Sequence, residues 1–151
     1  MYVKFWYICR FNMIVLSKSI KIQSKGENDL IDLTGKISDL VKKSGIYNGN
    51  ATIFVSGSTG SVTTIEFEPG LIQDFPEMLN RVAPKNLDYG HEKMWHDGNG
   101  HSHVKASLLG PSLTVPFIDG KLCLGTWQQI VFVELDTRGR NRDLILQIIG
   151  E

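Results

Sequence analysis

Apolar and polar residues alternate along much of this chain, and the alternation predicts a protein built largely from β-strands. Between residues 14 and 25, the apolar side chains of Ile14, Leu16, Ile20 and Ile22 recur at even-numbered positions. This period of two is typical of a strand with one buried face. Further β-rich runs are predicted at residues 51–56, 62–67, 113–117, 121–125, 127–135 and 144–149.

Helical spacing of apolar residues interrupts the strands at three places. The first helix is predicted to begin near Asp32 or Thr34, which are good N-cap residues, and to stop at Gly45. A second helix is predicted within 71–82 and a short third one at 104–109. Because strands and helices do not alternate regularly, the pattern favours an α+β fold, a mostly antiparallel sheet with a few helices packed on one side. The other side of such a sheet has no helices to cover its apolar residues, so a second copy of the chain is expected to cover it in a homo-oligomer.

Residues 13–151 are predicted to form a single α+β domain, preceded by an N-terminal extension at residues 1–12. A chain of 151 residues fits one hydrophobic core. The first twelve residues are rich in aromatic side chains, but Arg10 and Asn12 interrupt them, and a clear strand pattern begins directly after Met13. We therefore expect Met13 to be the natural start. An added edge strand or an oligomer contact is the alternative for residues 1–12.

Composition restricts the classes of partner. The chain has sixteen basic and sixteen acidic residues, so no net charge steers the whole molecule towards nucleic acid or an anionic membrane. No apolar run reaches the length of about eighteen residues that a membrane span needs. Cys9 and Cys123 are far apart and outside any C-x-x-C spacing, which argues against a disulfide framework and fits a reducing cytoplasm. We expect a cytoplasmic protein with neither nucleic acid nor membrane as a partner.

The strongest chemical signal is a cluster of histidines within thirteen residues. It contains all four histidines of the chain, His91, His96, His101 and His103. The segment is rich in Gly, Asp and Asn and is predicted to be a loop. Neutral imidazole is a common metal ligand, and a turn at 98–100 can bring histidines from its two sides together. The cluster therefore predicts a divalent metal site, zinc foremost, and a solvated loop of titrating histidines is the alternative.

Two other segments have side chains suited to an anionic ligand. The hydroxyl side chains of the loop at 57–61 are Ser58, Thr59 and Ser61. Together with backbone N–H groups they can hold a phosphate, although a hairpin connection is equally consistent with this loop. In the second segment Arg138, Arg140 and Arg142 alternate, so an extended backbone places them on one side, where they can clamp a phosphate or carboxylate. A solvated turn is the alternative there.

Two glutamates and one tryptophan in the β-rich runs are further candidates. A carboxylate on a buried strand face is unfavourable unless it meets a metal, an arginine or a proton. Glu66 and Glu134 are therefore predicted catalytic residues if they point inward, and they have no such role if they point outward. The Trp127 side chain either packs in the hydrophobic core or stacks against a substrate, and a tryptophan is more often found in the core.

Five stretches of the sequence form an ordered set. They are Tyr89–His91, Asp97–His103, Lys105–Ser112, Gly125–Gln128 and Glu134. Read together, they resemble the YjbQ-like family, whose members are often named secondary thiamine-phosphate synthase. The likeness runs loosely from Met13 to Glu151, and it is densest towards the C-terminal end.

This resemblance implies a compact α+β fold assembled as a homotrimer, with a histidine-lined site near the subunit boundary. It also implies a transferase that joins a hydroxymethylpyrimidine diphosphate to a thiazole phosphate and releases pyrophosphate. Magnesium is the alternative metal for such a diphosphate substrate. His91 and His103 carry over as catalytic residues, His101 as a third site residue, and Glu66 matches a family acid.

The matching stretches also add substrate-binding candidates and contain one departure. Lys105, Ser112 and Trp127 are the additional residues expected to contact the substrate. Many relatives have a His-Thr pair where this chain has Gly57-Ser58, so one family histidine is missing here. We expect His96 to be the replacement ligand, from a different direction.

Two classes of function follow from these observations. The first is a metal-assisted enzyme acting on a phosphorylated small molecule, either a thiamine-phosphate synthase-type transferase or a metal-dependent hydrolase. The second is a trimeric metal- or ligand-binding protein without turnover. Replacement of His103 by alanine separates the two classes, because an enzyme loses activity and keeps its trimer, whereas a structural-metal protein loses stability.

Overall fold

A computed structural model describes residues 13–151, and the predicted N-terminal extension lies outside the described residues. Strands and helices follow one another along this part of the chain. They are β1 (Ile14–Gln23), β2 (Leu30–Asp32), α1 (Thr34–Ser44), β3 (Gly49–Val55), β4 (Gly60–Ile65), α2 (Pro69–Val82), α3 (Gly90–Trp95), α4 (Gly100–Leu109), β5 (Ser112–Ile118), β6 (Lys121–Leu122), β7 (Gln129–Glu134) and β8 (Asn141–Gly150). None of these helices has the length and the apolar character needed to cross a membrane.

The strands form two antiparallel sheets. The large sheet has five strands in the order β1-β8-β3-β5-β6, and the small sheet has three in the order β2-β7-β4. Every pairing within both sheets is antiparallel. The α+β fold with mostly antiparallel sheets is therefore confirmed.

The two sheets and the helices form three layers around β7. Ile130 and Phe132 of β7 belong to a core cluster that is shared with the large sheet and with helix α1. Val131 and Val133 point the other way, into a second cluster with Leu79 of α2 and Ala106 of α4. Because successive side chains of a strand point to opposite faces, β7 contributes to both cores. The helices α2 and α4 thus cover one side of the small sheet, and the large sheet covers its other side.

Helix α1 begins where the sequence predicts, but the capping contacts differ from a simple N-cap. The side chain of Asp32 accepts a hydrogen bond from the Thr34 backbone N–H at 2.8 Å, while Leu33 is the N-cap residue. The Thr34 hydroxyl instead accepts the backbone N–H of Ile130 at 2.8 Å, which attaches the start of the helix to β7. The helix ends at Gly45, whose left-handed φ of 73° is readily adopted by glycine.

Two predictions about the elements were wrong, and one strand was not predicted. Strand β2 was not predicted, because three residues are too short to display a period of two. The strand predicted at 121–125 is limited to Lys121–Leu122. The histidine segment, predicted to be a loop, forms α3 and the first turn of α4, so the short third helix begins at Gly100. None of the residues of α3 is buried, and a helix without an apolar face gives no periodic signal.

The replacement of Phe132 by alanine is expected to destabilise the fold strongly. The ring is fully buried between the two sheets, so its loss leaves a cavity at the centre of the molecule. Such replacements lower the free energy of unfolding by about 3–5 kcal/mol, which urea denaturation would measure. Trp127→Ala is the control, because Trp127 is 69% exposed and its loss should change stability by less than about 0.5 kcal/mol. Equal effects of the two replacements would contradict the described layers.

Candidate functional site

Helices α3 and α4 form a short hairpin that carries all four histidines. Helix α3 ends at Trp95, its C-cap residue His96 has a left-handed backbone with φ of 52°, and Gly98 has φ of 72°. These two residues reverse the chain direction within four residues. A Cβ atom on Gly100 would lie 2.7 Å from the Cβ atom of Tyr89, so the close approach of the two helices requires glycine there.

The carboxylate of Glu92 holds the hairpin closed. One oxygen accepts the backbone N–H of Gly100 at 2.7 Å, and the other accepts that of Gly98 at 2.8 Å. These two bonds, that from Gly100 first, lower the pKa of Glu92 below its ordinary value. The carboxylate also lies at the N-terminus of α4, where the helix dipole favours a negative charge.

The hairpin brings His91 and His103 into contact. Their ring centroids are 4.4 Å apart, and their planes are inclined by 37°. His91 Nε2 is buried and makes no hydrogen bond, although Asp97 Oδ1 is 3.4 Å away. Burial, and then the charge of His91, lower the pKa of His103, while Asp97 and Asp136 act in the opposite direction. The pair is thus the one place where two histidines of this chain are close enough to act together.

The other two histidines lie elsewhere. His101 is 1% exposed, and its Nε2 atom lies 3.0 Å from Glu27 Oε1. His96 is exposed at the end of α3. Within residues 13–151, no group of three or more His, Cys, Asp or Glu side chains is close enough to hold a metal ion. The four histidines therefore do not form one ligand set, because the hairpin directs His101 into the protein and His96 towards solvent.

Glu134 meets an arginine inside the protein, which is one of the partners that a buried carboxylate needs. Its side chain is fully buried at the end of β7. Arg142 donates to it from Nε at 2.8 Å and also from Nη2, and the Ser24 hydroxyl donates to it at 2.6 Å. Glu134 therefore fixes the orientation of Arg142.

A second carboxylate, Asp136, lies between the histidine pair and an arginine cluster formed by Arg140 and Arg142. It accepts hydrogen bonds from Thr59 Oγ1 at 3.0 Å and from Arg140 Nε at 2.9 Å. Burial alone would raise its pKa, but the bonds from Arg140 and Thr59 outweigh burial and lower it. Asp136 is close enough to His103 for its charge to raise the pKa of that imidazole. It was not predicted, although its position two residues after Glu134 would place it on the same strand face.

The loop between β3 and β4, predicted to bind a phosphate, lies against Arg142. Arg142 Nη2 donates to the hydroxyl of Thr59 at 2.9 Å. Its Nη1 atom lies 3.1 Å from the place where a Cβ atom on Gly57 would stand, so the loop passes directly over the guanidinium. Ser58 is exposed, whereas Ser61 is buried and donates to the Ala106 carbonyl at 3.2 Å. Ser61 thus has a structural contact with α4.

The remaining predicted residues lie outside this cluster. Glu66 is exposed beyond the end of β4, and the register of β4 and β7 pairs Gly60 with Glu134 and Ile65 with Gln129. Glu66 is therefore at the opposite end of the strand pair from Glu134. The exposed residues Ser112, Trp127 and Arg138 make no contact with the histidine pair among the described hydrogen bonds and ring contacts. The core interpretation of Trp127 was wrong, because the turn between β6 and β7 directs its ring outward.

Lys105, predicted to bind substrate, is instead fully buried. Its Nζ atom donates to Glu27 Oε1 at 3.0 Å and to Asn80 Oδ1 at 2.5 Å. Neither partner was predicted. Glu27 lies in a polar turn and Asn80 on an amphipathic helix, and nothing in either sequence pattern distinguishes them from solvent-facing residues.

The pKa of His103 is expected to rise when His91 is replaced by glutamine. The replacement removes the charge of His91, which lowers the pKa of His103 in the native protein. Titration of the histidine ring signals by NMR would measure the change. His96→Gln is the matched control and should leave the His103 pKa unchanged. A His103 pKa that is the same in the native protein and in His91→Gln would contradict the ring contact.

Comparisons with known proteins agree with this fold. The family model described as UPF0047 protein YjbQ-like matches residues 18–151. A UPF0047 protein from Methanothermobacter thermautotrophicus is 38% identical over 143 residues, which cover 95% of this chain and 98% of that protein. The UPF0047 protein YugU from Bacillus subtilis is 31% identical over 135 residues, which cover 88% and 98%.

A solved structure shows the same architecture. The crystal structure of a YbjQ-like protein of unknown function from Sulfolobus solfataricus is 35% identical and superimposes with a TM-score of 0.87. The likeness covers 93% of this chain and 100% of that protein. Both its fold and its sequence therefore place the chain in one group of proteins: it belongs to the YjbQ-like UPF0047 family.

Proposed function

We propose that this protein is an enzyme for a phosphorylated small molecule, in which His91 and His103 transfer protons. The observation that carries the proposal is the contact between the two imidazoles, together with the buried and unpartnered Nε2 atom of His91. A buried polar atom without a partner is unfavourable, and a bound ligand would supply that partner.

The electrostatics of the pair suit acid–base chemistry near neutral pH. Two imidazolium ions 4.4 Å apart repel each other, so protonation of one ring disfavours protonation of the other. Asp97 and Asp136 favour the cation at His103. One neutral and one protonated ring can therefore coexist, which gives a general base and a general acid side by side.

The loop at 57–61 and Arg142 provide the proposed phosphate subsite. Arg142 is held by Glu134 and Thr59 through Nε and Nη2, while Nη1 faces the loop at Gly57. Arginine and backbone N–H groups are well suited to phosphate oxygens. Asp136 contacts Thr59 and lies near His103, so the proposed phosphate subsite and the histidine pair are both next to Asp136. A phosphate on the loop would therefore bring the rest of the molecule to the histidines.

A divalent metal ion, zinc foremost, is the proposed cofactor, with magnesium as the alternative for a diphosphate substrate. The residues that would hold it are His91, His103 and Asp97, because two imidazoles and a carboxylate are a common donor set for catalytic zinc. His91 Nε2 and Asp97 Oδ1 are 3.4 Å apart, but within residues 13–151 the three side chains do not form a metal site as they stand, so they would have to move closer together to bind an ion. A bound ion would neutralise charge on a phosphate or diphosphate leaving group.

The first reaction to test is thiamine-phosphate synthesis. In it, the ring nitrogen of a thiazole phosphate forms a bond to the methylene carbon of hydroxymethylpyrimidine diphosphate, and the carbon–oxygen bond to pyrophosphate breaks. The protonated histidine of the pair gives its proton to the leaving pyrophosphate, and the second histidine returns a proton to the first for the next turnover. Hydrolysis of a phosphorylated small molecule is the neighbouring alternative, and a binding protein without turnover is the alternative from another class. The resemblance to the family supports this choice of substrates.

A homotrimer is the proposed assembly, in the cytoplasm. The outer face of the large sheet supports it, because Val15, Phe54 and Ile145 are 55%, 42% and 43% exposed on the same face. A sheet face with this apolar content is typical of a contact between subunits. The two cysteines, far apart in the sequence and outside any C-x-x-C spacing, are the feature that supports a reducing compartment.

Turnover assays of single variants test the proposal. With hydroxymethylpyrimidine diphosphate and thiazole phosphate, His91→Ala and His103→Ala are expected to lower kcat by about a hundredfold or more, because each loses a proton-transferring group. His96→Ala is the matched control and should retain native activity. Light scattering of the same samples should give the mass of three chains throughout. Unchanged turnover in both variants would contradict the proposal, and loss of the trimer in His103→Ala would favour the binding protein.

Elemental mass spectrometry of protein purified without a polyhistidine tag tests the metal. We expect about one zinc or other transition-metal ion per chain, lost in His91→Ala and His103→Ala and retained in His96→Ala. The absence of metal after incubation with zinc would remove the cofactor from the proposal and leave the histidine pair alone to transfer protons.

A further inference from the structure

The buried side of helix α4 is mostly polar, which is unusual for a helix that packs against a core. Its buried residues are Gly100, His101, Ser102, Lys105 and Ala106. Ala106 and the partly buried Leu109 provide its apolar contacts with the core, and because apolar packing is non-directional, these two side chains do little to fix how the helix is rotated about its axis. Hydrogen bonds depend on direction, and they must therefore supply that information here.

The side-chain contacts of His101 and Lys105 converge on one carboxylate oxygen, while Ser61 makes a separate bond to the Ala106 carbonyl. Glu27 Oε1, in the turn before β2, lies 3.0 Å from His101 Nε2 and 3.0 Å from Lys105 Nζ. Lys105 Nζ also donates to Asn80 Oδ1 of α2, and Lys85 Nζ approaches the other oxygen of Glu27 at 3.8 Å. A carboxylate can only accept, so His101 carries its proton on Nε2 when Glu27 is ionised. The cluster joins α4 to α2 and to the turn before β2.

Charge makes Glu27 indispensable to this cluster. Lys105 is fully buried, and a buried ammonium group is strongly unfavourable without a counter-ion. Burial alone would raise the pKa of Glu27, but the hydrogen bond and the charge of Lys105 outweigh it, so the pKa is lowered and the carboxylate stays ionised. Glu27 is 17% exposed in its side chain, and it is the one acidic partner of Lys105 among the described ion pairs.

We propose that Glu27 is a positioning residue for His103: by binding His101 and Lys105, it fixes the rotation of α4 and so places the His103 ring against His91. The inference rests on the proposed role of the histidine pair. Glu27 touches neither ring of that pair and acts through α4.

Helix geometry shows why rotation matters. His101 and Lys105 are four residues apart and lie on the same face, whereas His103 follows His101 by two residues and points about 200° away from it. The outer ends of helical side chains lie about 5–6 Å from the axis. A rotation of α4 by about 20° therefore moves the His103 ring by about 2 Å, which would disrupt its contact with His91. A misplacement of about 1 Å can lower a rate by about a hundredfold.

The test compares the ring contact in variants of the cluster. The nuclear Overhauser effect between the ring protons of His91 and His103 reports their distance directly, at a pH where both are neutral. Glu27→Gln keeps the shape of the side chain but leaves Lys105 without a counter-ion, so the signal should be lost and kcat should fall about a hundredfold with little change in KM. Lys105→Met in addition removes the uncompensated charge and should restore stability, whereas the ring signal should stay weak because the directional contacts of Glu27 with Lys105 and His101 are not restored.

Two controls separate positioning from general destabilisation. Val41→Ala removes part of a fully buried side chain from α1, which belongs to the other core cluster, and should lower stability while keeping the ring signal. Lys85→Met removes the more distant basic partner of Glu27, and this variant should also keep the ring signal. If Glu27→Gln does not fold, Glu27→Asp takes its place, because it keeps the charge but shortens the reach to His101.

The outcomes are distinct. Loss of the ring signal in the folded Glu27 variant, with retention in Val41→Ala, supports positioning. A native signal in the folded Glu27 variant, or an equal loss in Val41→Ala, overturns it. If the native protein shows the signal and its dependence on Glu27 but turns over none of the substrates, the positioning role stands and the proposed function fails.

Discussion

Strand β7 is buried on both faces, and the layers of the molecule are arranged around it. Ile130 and Phe132 pack in the core that β7 shares with the large sheet, and Val131 and Val133 pack in the core that it shares with helices α2 and α4. A strand in this position has no solvent-facing side, so the charged residue that ends it, Glu134, must find its partners within the protein. The arginine cluster is therefore a consequence of the central strand as well as a part of the candidate site.

Paired charges form a rigid frame around the two imidazoles. Arg142 with Glu134, and Arg140 with Asp136, hold the loop at Thr59 on one side. A buried ion pair contributes little net stability compared with apolar packing, but removal of one partner is strongly destabilising. Such pairs therefore specify geometry more than they stabilise the fold. This is what a site needs if two rings must meet while one of their nitrogen atoms remains free for a ligand.

The sequence predicts the fold better than it predicts the site, for physical reasons. A period of two reveals β1, because its alternation is local, and Glu134 is recognisable because a carboxylate in an apolar strand needs a partner. The histidine pair was predicted as part of a larger set, since spacing along a supposed loop cannot show that α4 turns His101 inward. Glu27 could not be predicted, because its importance comes from a lysine 78 residues away in the chain.

The strand order of the large sheet has a consequence for how the molecule is made. Strand β8 lies between β1 and β3, and β1 pairs with β8 along its whole length, from Ile14 with Gly150 to Gln23 with Asn141. A ribosome adds about 5–20 residues per second, so β1 spends on the order of 6–24 s without its neighbour. An unpaired strand with an apolar face can join another chain. The large sheet can therefore close only after β8 has been translated, and until then β1 lacks the strand with which it pairs along its whole length.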